Sequence, residues 1–354
     1  MFVSGIGNNS GLDELTFEEI PPARRQRRDE HKPRWGRRVL AIFLGLLLLL
    51  IASVAAYLLF LNHTVNQNVT QENLLPTTGP SLTTEQEQQI AAAGGMNYLI
   101  IGTDARPGDS GRSDVMIVAH VPADHSKVYL IHFPRDLGVE IPGHGLTKLN
   151  ASYAYGGAPL VVESIQNLVG IKIDHVVKTD FVGFQKMTNA VGGVRVWAEE
   201  ASTSTGNGGQ DIQQGWNDLN GEQALGFVRE RYQLSEGDIS RGRRQQAFIK
   251  ALMLKATTPE IIANPIKVAG LVDAATSDLV IDQSYSVADM RDEALALRNV
   301  RSEDIIFITA PFTGFGTAPD GGSIDIVDTA GMAALGEAIR TDTMQNYQNT
   351  TTIP

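Results

Sequence analysis

The chain has 354 residues, no cysteine and a net charge of −11, enough length for one large domain or a domain with extensions, and no possibility of disulfide frameworks, zinc–cysteine sites, iron–sulfur clusters or thiol catalysis. The charge is uneven: eight of the 29 basic residues (Arg24, Arg25, Arg27, Arg28, Lys32, Arg34, Arg37, Arg38) and six of the 40 acidic ones precede residue 39, leaving 21 bases against 34 acids in the rest. An acidic body argues against a nucleic-acid partner, which would require a broad basic face, so any anion site here must be a local arginine cluster.

In chain order, the basic segment 1–38 reads as a cytoplasmic tail. Residues 39–61 follow as 23 uncharged residues, VLAIFLGLLLLLIASVAAYLLFL. As a helix they span roughly 34 Å, enough to cross the hydrocarbon core. The basic flank before them and the nearly neutral one after them place the N-terminus in the cytoplasm and residues 62–354 outside. Small residues at 52–56 would suit cleavage of a signal peptide, but both the apolar run and the basic start are too long for one. The expectation is a single-pass anchor in the cell membrane, its body extracytoplasmic.

Residues 62–95, rich in Thr, Gln and Asn, read as a linker. Runs at 97–101, 115–121 and 128–133 are short, apolar and rich in β-formers, as buried strands are. Helical patterns follow at 159–169, 181–191, 221–229 and 239–255, interleaved with strands near 176, 194–197 and 305–309. That alternation predicts an α/β fold, a layered α/β/α domain with a mixed central sheet behind one transmembrane helix. Its core is 96–257, with 258–340 completing the same domain and 341–354 a disordered tail.

Several familiar chemistries fail on order or spacing. Gly108-Asp-Ser-Gly111 resembles a serine-protease nucleophile motif, but the only upstream histidines are His31 and His63, one in the tail and one at the membrane. No pair among the seven histidines has zinc-ligand spacing, and no phosphate-binding glycine loop of the usual forms is present.

An Asp/Arg constellation remains. Asp104 follows the first predicted strand and Asp114 precedes the second, so both lie at one edge of the sheet. There they could share a magnesium ion, which prefers few protein ligands plus phosphate oxygens and water; alone, they would read better as loop-capping residues. Arg135 ends the third strand. In a helix starting near Asp238, residues 238, 241 and 245 share one face with Arg244 beside Arg241, placing a carboxylate, guanidinium groups and an amide in one stripe. Guanidinium groups can clamp phosphate oxygens in pairs. A plain capping Asp238 with solvated arginines is the alternative.

Together GTDAR (102–106), RSD (112–114), PRD (134–136), KLNASYAYGG (148–157), VRER (228–231) and DISRGRRQQ (238–246) resemble the LytR–CpsA–Psr family of bacterial envelope proteins, from residue 96 to about 255. The resemblance implies a phosphotransferase that moves a glycopolymer from a polyprenyl diphosphate carrier to a peptidoglycan sugar hydroxyl. Membrane lipid, the lipid-linked glycopolymer and peptidoglycan would be its partners. Carried over, Asp104 and Asp114 would hold Mg2+ on the diphosphate, and one of them could accept the hydroxyl proton. Arg112, Arg135, Arg229, Arg231, Arg241 and Gln245 would bind the diphosphate oxygens, with Lys148 and Asn150 in a further matching motif. Asp104, Asp114 and Arg135 are the catalytic candidates. His132-Phe133 stands where the family usually has Ser-Ile, a change expected to alter packing and not chemistry. The carrier's tail implies an apolar tunnel whose lining no pattern identifies. A pyrophosphatase acting on the same bond and a non-catalytic envelope regulator that binds lipid-linked intermediates are the alternatives.

Overall fold

The computed structural model describes residues 35–103, 113–203 and 211–348. The chain divides into two compact units, 1–56 and 57–354. In the first, the described residues form the start of one helix, α1 (Trp35–Asn68), whose last turns belong to the second unit. Among the described residues, Arg38–Asn68 is one helix long and apolar enough to cross a membrane.

The second unit continues with β1 (Thr70–Glu72), α2 (Thr84–Ala93), β2 (Met96–Thr103), β3 (Ser113–Val121), β4 (Val128–His132) and the hairpin β5 (Gly138–Ile141) and β6 (Gly145–Lys148). Next come α3 (Leu149–Val169), β7 (His175–Asp180), α4 (Phe181–Ala190), β8 (Val194–Ala198), β9 (Gly215–Leu219), α5 (Gly221–Arg229) and α6 (Asp238–Ala256). The chain goes on through α7 (Pro259–Ile262), α8 (Pro265–Thr276), β10 (Val280–Asp282), α9 (Val287–Ala296), β11 (Ile305–Thr309), β12 (Phe312–Thr317), β13 (Ser323–Val327) and α10 (Thr329–Arg340).

Seven strands form one mixed sheet in the order β1-β10-β7-β2-β3-β4-β11. β2–β7, β4–β11 and β1–β10 pair in parallel, whereas β3 runs antiparallel to both neighbours. The central strands are buried on both faces, as their continuous apolar runs require. On one face Val161, Val162 and Ile165 of α3 and Leu335 and Ile339 of α10 pack with Leu99, Ile101 and Ile131. The opposite face carries Tyr98, Ile117 and Leu130 with Ala247 of α6 and Tyr285. The expected α/β/α layering with helices on both faces is present.

Three details differ from the sequence expectation. The stretch 62–95 is more than a linker: α1 runs on to Asn68, β1 joins the sheet edge, and α2 carries a Thr83 capping box. β1 was invisible because all three of its residues are polar and exposed, and only its pairing with β10 makes it a strand. The helical stretch α3 begins at Leu149, ten residues before the predicted start, but it breaks at Gly156 and Gly157, the latter at φ 65° where glycine is favoured, and the part beyond this kink is the predicted helix. The β8 segment leaves the main sheet and pairs with β9 alone.

Candidate functional site

The C-terminal ends of β2, β4 and β7 and the start of β3 lie at one edge of the sheet, where crevices open in α/β folds. Around this edge each polar side chain is held by a local device. Arg135 follows the fully buried Phe133 and Pro134, and its carbonyl accepts the Asn150 N–H at 3.0 Å. Helix α5 starts at a capping box between Asn220 and Gln223 and ends on Arg229. Beyond it the buried Glu230 carboxylate accepts the N–H groups of Tyr232 and Gln233 at 2.7 and 3.2 Å, fixing the turn that presents Arg231. Gly237, at φ 54°, then brings Asp238 to the first turn of α6.

The result is a charge cluster with one cation shared among several acids. Arg135 donates Nη1 to Asp114 Oδ1 at 2.6 Å, and its Nε lies 3.4 Å from Asp238 and 3.9 Å from Asp136. Asp238 Oδ1 also faces Arg241 Nη2 at 2.6 Å and Arg231 Nη1 at 3.8 Å. These are charge contacts without hydrogen-bond alignment, so both Asp238 oxygens, buried, accept no hydrogen bond. Burial pushes the Asp238 carboxyl up, opposed by Arg241. Burial alone would depress Arg135, but Asp238, Asp136 and Asp114 together hold it above its ordinary value. Arg229 stacks 4.7 Å over the Phe181 ring, and Arg231 both stacks on Tyr232 and donates to its hydroxyl at 2.8 Å.

Behind this cluster a cavity of about 740 Å³ runs between the sheet and α4, α6, α8 and α9. Asp114, Arg135, Arg229, Arg231, Arg241 and Gln245 all line it, grouped at the sheet edge. Its body is apolar, walled by residues such as Ile100, Ile117, Val177, Phe184, Phe248 and Leu252. This volume falls in the range of small-molecule and cofactor sites.

Six of the ten sequence-predicted site residues thus meet at one mouth. Lys148 and Asn150 sit one layer behind: Lys148 Nζ contacts Asp136 at 2.9 Å, and Asn150 supports Arg135 through its backbone. Asp104 and Arg112 lie outside the described residues. Arg244 does not join the stripe. It donates to Ser202 Oγ and the Glu200 carbonyl and stacks on Phe227, fastening α6 to the segment after β8. Arg243 likewise pairs with Glu199 and Glu236. Helix periodicity places residues on a face but does not say which neighbour that face meets.

Sequence reasoning missed Phe181, Tyr232 and Asp325. Asp325, on β13, bridges to Leu137 and donates its backbone N–H to the Asp136 carbonyl at 2.9 Å. Its side chain is buried, one oxygen without a donor, and burial together with Asp136 and Asp238 raises it to about 6. No sequence signal links this residue to the PRD segment, since the pairing is wholly tertiary.

Among the described residues no group of three His, Asp or Glu side chains converges as a metal site. Magnesium needs less than that, because phosphate oxygens and water complete its shell. Of the two carboxylates read from the sequence as magnesium ligands, Asp114 stands at the cavity mouth with its Oδ1 accepting from Arg135, and Asp104 lies outside the described residues.

The fold and site define an α/β protein with an amphiphile-sized cavity, apolar in its depth and arginine-lined at its mouth. The chain belongs to the LytR–CpsA–Psr family, whose model matches residues 59–341. It is 32% identical over 268 residues to a probable cell wall biosynthesis protein, LcpB, of Corynebacterium glutamicum, covering 71% of this chain and 63%, less than two thirds, of that relative. It is 31% identical over 288 residues to the polyisoprenyl-teichoic acid–peptidoglycan teichoic acid transferase TagU of Oceanobacillus iheyensis, covering 78% of this chain and 88% of that one. Among solved structures, Bacillus subtilis TagV matches 73% of this chain and 99% of its own with a TM-score of 0.59 at 25% identity.

Proposed function

We propose that the protein is a membrane-anchored phosphotransferase that moves a glycopolymer from a polyprenyl diphosphate carrier to a peptidoglycan sugar hydroxyl outside the cell. The observation that carries this reading is the continuity of the cavity: one space joins an apolar body to a mouth with four arginines. A polyprenyl diphosphate has the same two-part chemistry, an apolar tail and two adjacent phosphates. The family membership and the relatives' names support the same class of reaction.

In this reading the tail lies in the apolar body. Arg135, Arg229, Arg231 and Arg241 take the diphosphate oxygens, joined by Arg112, and Gln245 donates its amide. Asp114, with Asp104, would hold Mg2+, which would neutralise phosphate charge. The sugar hydroxyl attacks the phosphorus nearest the glycopolymer and polyprenyl phosphate leaves, a step governed by positioning and charge neutralisation. Asp104 or Asp114 accepts the hydroxyl proton. Lys148 and Asn150 act one layer back, holding Asp136 and Arg135 in place. Phe181 and Tyr232 keep the Arg229 and Arg231 planes oriented before substrate arrives. The positive-inside pattern supports a mouth on the outer side of the membrane.

The test is to incubate the full chain with a short polyprenyl diphosphate sugar, magnesium and peptidoglycan fragments, following polyprenyl phosphate release and coupled product by mass spectrometry. Coupled product that disappears in Asp114→Ala and Arg229→Ala is the expected result. Release without coupling would make the enzyme a pyrophosphatase, and binding without turnover would make it a lipid-intermediate sensor.

A further inference from the structure

The connection between α7 and α8 reads Ile261-Ile262-Ala263-Asn264-Pro265-Ile266, six residues without a charge. Ile261 is buried in the core beneath, yet Ile262 is 61% and Ile266 84% exposed, the latter the most exposed of the large apolar side chains described. Both are held outward by rigid backbone. Asn264 caps α8, its side-chain oxygen accepting the N–H groups of Ile266 and Lys267 at 3.0 and 3.3 Å, and Pro259 and Pro265 open the two helices. A loop that could fold its isoleucines inward would do so in water; this one is built to present them.

What covers this face follows from its neighbour. The Tyr57 hydroxyl donates to the Pro265 carbonyl at 2.7 Å, and Asn68 Nδ2 bonds Asp273 Oδ1 at 2.9 Å and Thr276 Oγ1 at 3.1 Å. Two contacts eleven residues apart fasten α8 lengthwise to the end of α1, roughly 16 Å apart along the helix. Tyr57 lies inside the uncharged run 39–61, so Pro265 stands level with residues that belong to the bilayer, while Asn68 and the far end of α8 stand above it. Tyrosine is characteristic of that boundary depth. The ion network of Lys255, Glu260 and Lys267 rims the apolar patch, as a headgroup layer would require.

We infer that the α7–α8 connection docks into the outer leaflet, Ile262 and Ile266 entering the acyl boundary beside the end of α1. The occupant is the lipid surface itself. Resting on the proposed function, this has a consequence for substrate: Leu252 and Met253 of α6, the helix that leads into α7, line the cavity, so a carrier's tail would pass from the leaflet into the cavity beside this contact.

The natural absence of cysteine makes the test direct. Ile262→Cys and Ile266→Cys would be labelled with a bimane in the full chain, reconstituted into phospholipid nanodiscs carrying spin-labelled lipid. Thr313→Cys serves as reference, since β12 follows β11 at the opposite edge of the sheet from β1, about 29 Å away at 4.8 Å per strand. At least twofold quenching at 262 and 266, with none at 313, is expected. Equal quenching at all three sites would overturn the proposal. So would a labelled Ile266→Cys that is not quenched while the unlabelled variant, treated with an added oxidant, cross-links between copies, which would assign the face to a second molecule. The readout is independent of turnover, so it stands whether or not the transferase reading does.

Discussion

Arg135 and Asp114 meet at 2.6 Å, and the same guanidinium turns its Nε toward Asp238 and Asp136. One cation therefore holds together acids contributed by β3, the segment after β4, and α6. Before substrate arrives the acids keep the cavity mouth from being strongly positive, and they orient the arginines that would face the diphosphate. Such preorganisation lowers the reorganisation needed as charge shifts during phosphoryl transfer.

Arg135→Lys tests that role. A lysine keeps the charge but presents one nitrogen, so it can satisfy Asp114 or Asp238 and not both. Turnover of a polyprenyl diphosphate donor should fall about a hundredfold or more, with little change in thermal stability. Arg135→Ala should instead lose stability as well, by about 3–5 kcal/mol, since it leaves buried carboxylates uncompensated. Steady-state kinetics beside thermal unfolding separates the two; equal activity in the lysine variant would remove Arg135 from the site.

The apolar body of the cavity makes a length-dependent prediction. Ala119 lines it from β3 and is otherwise buried, so Ala119→Phe projects a ring into the space a tail would fill. Donors with long prenyl chains should lose about 10- to 100-fold in kcat/KM, a discrimination typical of filling an apolar pocket, whereas donors with one or two isoprene units should be nearly unaffected. A uniform loss across chain lengths would show that the tail lies elsewhere.

What the sequence made legible follows from where information is local. The strands 97–101, 115–121 and 128–133 announce themselves because a strand buried on both faces must be apolar throughout. Arg135 and Asp114 could be placed at one sheet edge because each adjoins a strand terminus. By contrast, β1 is a strand only through its neighbour, and Arg243 and Arg244 are structural only because Glu199, Glu200 and Ser202 return beside α6. The cavity wall draws single residues from several strands and helices far apart in sequence, a set no periodicity contains. Asp325 reaches the site across 188 residues through one β-bridge to Leu137.

His132 and Gly242 form a tightly fitted pair. A Cβ added at Gly242 would lie 2.7 Å from the His132 ring, so Gly242→Ala must push α6, and Arg241 with it, away from the sheet. Overpacking of this kind costs about 1–3 kcal/mol. His132→Ser empties the conflicting space, and the double variant should recover most of the loss. A double-mutant cycle on stability should therefore give a coupling of at least about 1 kcal/mol. Additive effects would mean that the helix does not rest on His132, and that the His-Phe departure in this chain is unrelated to the glycine.

His132 and Asp325 should also oppose one another in their pH dependence. Burial, with Arg241 beside it, pushes His132 down to about 4 from 6.5, so the unfolded chain takes up a proton that the folded one refuses. Stability from this group is complete above pH 6.5 and is lost as pH falls toward 4, by about 3 kcal/mol at 1.36 kcal/mol per pH unit. Asp325 runs the other way: burial and its acidic neighbours raise it to about 6 from 3.8, so the folded chain keeps a proton that the unfolded one has released. Its contribution is complete below pH 3.8 and is lost as pH rises through 6, again by about 3 kcal/mol. The two slopes nearly cancel between pH 4 and 6. Removing either should uncover the other: relative to wild type, Asp325→Asn should lose stability as the buffer is acidified from pH 6 to 4, and His132→Asn should gain it. Thermal unfolding of the full chain in detergent at pH 4.5, 5.25 and 6 measures both differences. Parallel curves for all three proteins would mean that neither group titrates as its burial requires.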